Sequence, residues 1–317
     1  MPATALYSPE PARGWLPWVW LSPILLILFV AAPVIGMDGW MQSQHWSDAR
    51  GNPIGMAGLH VFLMIRFMPT LLAVLAWVHL VERRPLRTIG FVGPQPLKTF
   101  LGGVGIGIAT IALVVFAIWA AGGLQVAGVG AAWRSQSALM QIGLLLLSFV
   151  VQASTEEIIF RGWLLSLLAR KSNVAVAVLL VSLVFTFLHY SPHQAPLITL
   201  VSFLFSAFAC QWALQRGNIW GVMGWHTGWN WLLAVGFELP VTGIDAHLPA
   251  LLVALRPQGS DALTGGAEGP EGSFLCSAFF IAAMAWMAWR QRRAARELHR
   301  SRAPLLAVSS QESSRPN

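Results

Sequence analysis

Two adjacent acids and a base one helical turn further on, Glu156, Glu157 and Arg161, stand inside sequence that is otherwise apolar enough for a bilayer interior. Ionisable groups at such depth are costly and mark a functional site by default. On a helix Glu157 lies four residues before Arg161, the favourable order for an ion pair on a shared face. Glu156 sits about 140° away from Arg161 round the axis at 3.6 residues per turn, so it faces elsewhere and needs other partners. The plainer alternative is that all three mark the cytoplasmic end of a helix. Two further polar sites offer the partners: His189, four residues after Phe185 at the end of an apolar run, and His226 with Asn230, which share one helical face. An acid that accepts a proton, imidazoles that share it and an amide that donates hydrogen bonds make a hydrolytic site.

The elements that must position these groups are membrane spans. The 317 residues are 56% hydrophobic and only 10% charged, with a mean hydropathy of +0.63, far from the roughly 25% charged residues of soluble domains. Apolar runs of about 20 residues, enough to span a bilayer, fall near 18–37, 58–81, 97–121, 137–160, 173–190, 195–215, 218–236 and 272–289. The expectation is an all-α polytopic membrane bundle of about eight transmembrane helices, the first an uncleaved signal-anchor. Two cysteines, Cys210 and Cys276, exclude a disulfide framework.

The net charge of +7 does not imply nucleic acid, because the bases cluster in short loops between spans. Arg83, Arg84, Arg87 and Lys98 crowd one loop, Arg161, Arg170 and Lys171 a second, Arg216 a third, and Arg290 onward the tail. The alternate loops carry a base or two, such as Arg50, Arg134 and Arg256. The positive-inside rule then places both termini in the cytoplasm, with membrane lipids as partners and a bacterial inner membrane as the setting. Depth poses a difficulty. Counted from the Arg170–Lys171 turn, His189 is about 27 Å along its helix, whereas His226 is about 12 Å from Asn218. Either the fourth helix runs on towards Arg170 and carries Glu156 deeper, or the chain after Gly162 re-enters the membrane round a wet cavity.

Glu156-Glu157-x-x-x-Arg161, Phe185-x-x-x-His189 and His226-x-x-x-Asn230 together resemble the three ordered motifs of the CAAX-protease and bacteriocin-processing (CPBP, or Abi) intramembrane proteases. A Gly-rich stretch, Leu263–Gly272, is similar to the segment before the last helix in many bacterial members. The resemblance covers roughly residues 97–290 as the protease core. Residues 1–96 form an N-terminal membrane region with two divergent helices, and 291–317 a basic, partly disordered cytoplasmic tail. It implies an intramembrane endopeptidase, a CAAX prenyl protease-like hydrolase, with Glu156 as general base, His189 holding the water, and His226 with Asn230 as the oxyanion hole. Glu157, Arg161 and Phe185 support the site. The substrate would be a peptide or protein, lipidated or membrane-anchored, and no residue identifies a prenyl group.

Family members have been described as glutamate-dependent and as metalloproteases. No cofactor is the favoured reading; a divalent metal such as zinc on Glu156, His189 and His226 is the alternative, to which His193 adds a ligand on paper beyond the break at Pro192. Arg66 either snorkels or binds a substrate carboxylate. Trp225, Trp229 and Trp231 read as packing and interface anchors, and the Gly-rich segment as an outer connection. The rival to an enzyme is a non-catalytic immunity or scaffold protein, or a small transporter using the charges as a relay.

Overall fold

The computed structural model describes residues 6–49, 51–191 and 194–312, with side chains as far as residue 297. Arg50, Pro192, His193 and the end of the tail at 313–317 lie outside the described residues.

Helices dominate the chain: α1 (Leu21–Ser43), α2 (Gly55–Ala76), α3 (Pro96–Ala120), α4 (Gln136–Glu157), α5 (Leu165–Lys171), α6 (Val174–Leu188), α7 (Pro196–Arg216), α8 (Trp220–Gly236), a single turn α9 (Asp261–Thr264) and α10 (Phe274–Glu312). Local chemistry sets several ends. Ser135 Oγ accepts from the Ala138 amide at 3.2 Å and Asn173 Oδ1 from Val176 at 3.0 Å, capping α4 and α6. Pro96 and Pro196 open α3 and α7, where a missing N–H costs nothing. Gly217 closes α7 at φ +64°, a left-handed conformation that favours glycine.

Among the described residues five helical stretches are long and apolar enough to cross a membrane: Leu21–Ser43, Gly55–Val81, Pro96–Ala120, Gln136–Lys171 and Pro196–Arg216. The sequence suggested about eight; α6, at 15 residues, and α8, at 17, are shorter than a full crossing. The fourth stretch resolves the depth difficulty. It does not stop at residue 160 but continues through a π-helical turn, Ile158–Leu164, into α5, a run of 36 residues. Arg161 is therefore not a loop base: it is wholly buried, in a stretch from Gln152 to Ala169 in which every residue counts as buried. A helix buried all round is the centre of a bundle, and α1, α2, α6, α7 and α8 pack against this one, with α3 held on α8.

The helices alternate between two ends. At the basic end the N-terminal segment, the chain after α2 and the α7–α8 turn meet, through bonds such as Gly14 N to Glu82 O and Ile219 N to Gly90 O. The far end gathers the α1–α2, α3–α4 and α6–α7 connections and residues 237–273. It also carries two strands that the all-α expectation did not include, β1 (Leu124–Val129) and β2 (Val253–Pro257), which pair antiparallel.

The closest helix contact joins α3 to α8. A Cβ at Gly103 or Gly107 would strike the α8 backbone at Gly221 and Trp225, and one at Gly224 or Gly228 would strike α3 at Phe100 and Val104. Small residues one turn apart let backbones approach where lipid gives no hydrophobic drive to association. Apolar side chains such as Leu28, Leu72, Phe116, Leu147 and Leu183 point outward, as lipid contact requires. Arg66 pairs with Asp38 at 3.0 Å and lies over the Phe62 ring.

Candidate active site

The site is built on the turn where α4 widens. Glu157 and Arg161 form a fully buried ion pair at 3.1 Å. The same carboxylate oxygen, Glu157 Oε1, accepts a second hydrogen bond from His226 Nδ1 at 2.8 Å. A carboxylate that binds Nδ1–H fixes the ring and turns Nε2 the other way. Here Nε2 faces Glu156, whose Oε2 is 4.0 Å away. Glu156 thus points away from Arg161, and its Oε1 accepts from Gln152 Nε2 at 2.8 Å. Gln152 in turn accepts from Asn230 Nδ2 at 3.0 Å, tying α8 to α4 one turn above the His226 contact.

His189 forms the C-cap of α6. Its Nδ1 lies 2.9 Å from the Phe185 carbonyl. A carbonyl only accepts, so Nδ1 carries the hydrogen and Nε2 of the neutral ring is an acceptor. The ring stacks on Phe185 with centroids 4.1 Å apart. Phe185 also lies beneath the Arg161 guanidinium, 4.8 Å from its centroid, with Phe205 at 5.8 Å. These rings enclose a cation whose Nε and Nη2 have no oxygen acceptor among the described residues.

All four proposed catalytic residues, Glu156, His189, His226 and Asn230, line one cavity of about 70 Å³, room for a few waters. Ile198, Val201 and Phe205 make an apolar wall. Gln152, Ser202 and Thr242, which the motif reading does not include, complete it, with Glu268 and Glu271 from the Gly-rich segment that reads in the sequence only as an outer connection. That segment is more than a connection. Glu271 accepts from Trp229 Nε1 at 2.8 Å and from the Thr242 amide at 2.8 Å, which fixes the segment against α8. Glu268 is half-buried, and burial followed by the neighbouring Glu271 charge holds its carboxyl above the ordinary value. Gln152 carried a readable signal, an amide four residues before Glu156. Trp225 and Trp229 are wholly buried, so they pack the interior and do not anchor an interface.

Among the described residues no three of His, Cys, Asp and Glu form a group that could hold a metal ion, and His193 lies outside them.

Behind the cavity, towards the basic end, the N-terminal segment closes the turn. The Tyr7 hydroxyl donates to the Arg161 carbonyl at 2.7 Å and Arg170 donates to Ser8 O at 2.7 Å. Burial keeps the Tyr7 phenol far above its ordinary pKa, so it remains a donor.

Residues 138–232, which include Glu156, Glu157, Arg161, Phe185, His189, His226 and Asn230 but stop short of Thr242 and of the Gly-rich stretch with Glu268 and Glu271, match the family model for type II CAAX prenyl endopeptidase, Rce1-like. No curated protein and no solved structure matches the chain.

Proposed function

We propose that the protein is an intramembrane endopeptidase in which Glu156 activates water, because residues 138–232 match a CAAX-type endopeptidase model and five helices among the described residues are long and apolar enough to cross a membrane. One observation carries this reading: an acid, two imidazoles and an amide from three helices line a single water-sized cavity.

Glu156 Oε2 takes a proton from a water whose other hydrogen is accepted by His189 Nε2. The hydroxide attacks the scissile carbonyl carbon, and the negative charge moves to the carbonyl oxygen. The second Nδ2–H of Asn230 and a protonated His226 Nε2 are the donors for that oxyanion. Glu157 holds the His226 ring in place, and Arg161 neutralises Glu157, so Glu156 is the carboxylate left to act as base. Collapse breaks the C–N bond, and Glu156 returns its proton to the leaving amine. The apolar wall of Ile198, Val201 and Phe205 suits a hydrophobic side chain of a membrane-associated peptide or protein.

The test is cleavage of a membrane-peptide library by purified protein, read by mass spectrometry against Glu156→Gln. A general base contributes about 10²–10⁴-fold, so products should fall by that factor. A library that yields no Glu156-dependent product would favour a scaffold or transporter.

A further inference from the structure

The side from which the cavity is entered follows from three features of the bundle. First, the catalytic groups sit high above the basic end. At 1.5 Å per residue, Glu156 lies about 22 Å along its helix from Lys171, His189 about 22 Å along α6 from Val174, and Asn230 about 15 Å along α8 from Trp220. Second, the path from the basic end is filled. Every residue from Gln152 to Ala169 is buried, and the segment around Tyr7 and Ser8 is bonded across the turn. Third, the far wall of the cavity is made by the 237–273 connection, through Thr242, which is exposed, and Glu268, which is half-buried.

Orientation then decides which compartment the cavity meets. The bases divide unequally between the ends: Arg83, Arg87, Lys98, Arg170, Lys171, Arg216 and the start of the α10 tail on one, against Arg50, Arg134 and Arg256 in the sequence of the far-end connections. Removing Arg161, which is buried in the site, and Arg84, which is buried against Glu82 at 2.6 Å, leaves the asymmetry intact. Positive loops stay in the cytoplasm, and acids contribute little to that rule.

We propose that the catalytic cavity opens on the extracytoplasmic face, and that its substrate is a membrane-anchored peptide segment exposed there, not a prenylated cytosolic tail. The word substrate rests on the peptidase reading; the direction of opening does not.

Three single-cysteine variants test the direction with the buried Cys210 and Cys276 replaced by serine or alanine: Ala267→Cys at the mouth, Ser202→Cys within the cavity and Lys171→Cys at the basic end. Each is treated with a charged, membrane-impermeant maleimide in intact spheroplasts and in lysed membranes. The expected result is that Ala267→Cys and Ser202→Cys label at the same rate in both, whereas Lys171→Cys labels only after lysis. Labelling of Lys171→Cys with protection of Ala267→Cys in spheroplasts would reverse the orientation and overturn the proposal. Labelling of Ala267→Cys with Ser202→Cys protected in both preparations would show that the cavity does not open at the mouth, and would also overturn it. Two tethered reporters then test the substrate, one with its cleavable segment outside and one with it in the cytoplasm. Glu156-dependent cleavage of the outer reporter alone is expected; cleavage of the inner one alone overturns the proposal. If neither reporter is cut, the peptidase reading fails while the labelling still decides the side.

Discussion

Two buried carboxylate–guanidinium clusters flank the π turn, and they are built differently. In the first, Glu82 and Arg84 pair at 2.6 Å with both side chains fully buried. Both Glu82 oxygens are used: Oε1 accepts from Trp77 and Trp163, and Oε2 from Arg84. Arg84 reaches on to Ser166. In the second, Glu157 concentrates two donors on Oε1, Arg161 and His226, and its Oε2 has no partner among the described residues. The first cluster ends in indoles, which do not titrate. The second ends in an imidazole that borders a cavity and faces another acid. A buried charge is held either way, but only the second arrangement passes its orientation on to a group that can move a proton.

That contrast is open to direct attack. Removing the charge of Glu82 with Glu82→Gln leaves Arg84 buried and unpaired, which should cost about 3–5 kcal/mol. Chemical denaturation in detergent should show that loss, and whatever protein remains folded should cleave at the normal rate. Glu157→Gln should cost a similar amount and also abolish turnover of the folded fraction. Equal turnover in the two folded variants would erase the distinction. Next in size is Asn230→Ala, expected to lower turnover about 10²–10³-fold, the usual cost of one oxyanion donor, with little change in KM. A KM effect alone would reassign Asn230 to binding. Trp163→Phe removes one of the two indole bonds to Glu82 and should lower stability by about 1–3 kcal/mol; normal cleavage at low temperature would keep that cluster structural.

The smallest effect is expected at the cavity mouth. Glu268 has its pKa raised by burial and then by Glu271. A carboxyl raised in the folded state binds its proton more tightly there than in the unfolded chain. Its contribution therefore favours folding below the ordinary pKa and is lost as pH climbs through the raised value. Glu268→Gln should unfold at a slightly higher temperature than wild type at pH 7, and the gap should close near pH 4. A gap that is the same at both pH values would mean that the Glu268 charge is not its source.

Much of this was legible in the chain. Hydropathy placed the long helices, because a span must be apolar over about 20 residues, and four-residue spacing put Glu157 and Arg161 on one face. What escaped has physical reasons. A π turn changes hydrogen-bond register without changing composition, so the passage from α4 into α5 looked like a helix end. Arg161 read as a loop base because nothing near it in sequence shows the Phe185 and Phe205 rings that enclose it. Glu268 and Glu271 lie more than a hundred residues from Glu156, in a segment whose glycines announce turns and conceal a wall of the cavity. Gln152, by contrast, obeyed the same spacing rule and was available to it.

The π turn itself has a further meaning. Such a turn is one surplus residue absorbed by a helix that would otherwise run in register. Each residue of an α-helix advances the side chains by about 100°. Delete one residue between Ile158 and Leu164, and everything beyond it, including Trp163 or Ser166 on the Glu82 side, is turned by that angle relative to Glu156. The helix could then satisfy one of its two buried clusters but not both. The surplus residue is thus a phase adjustment, by which one rod serves two sockets cut at different angles.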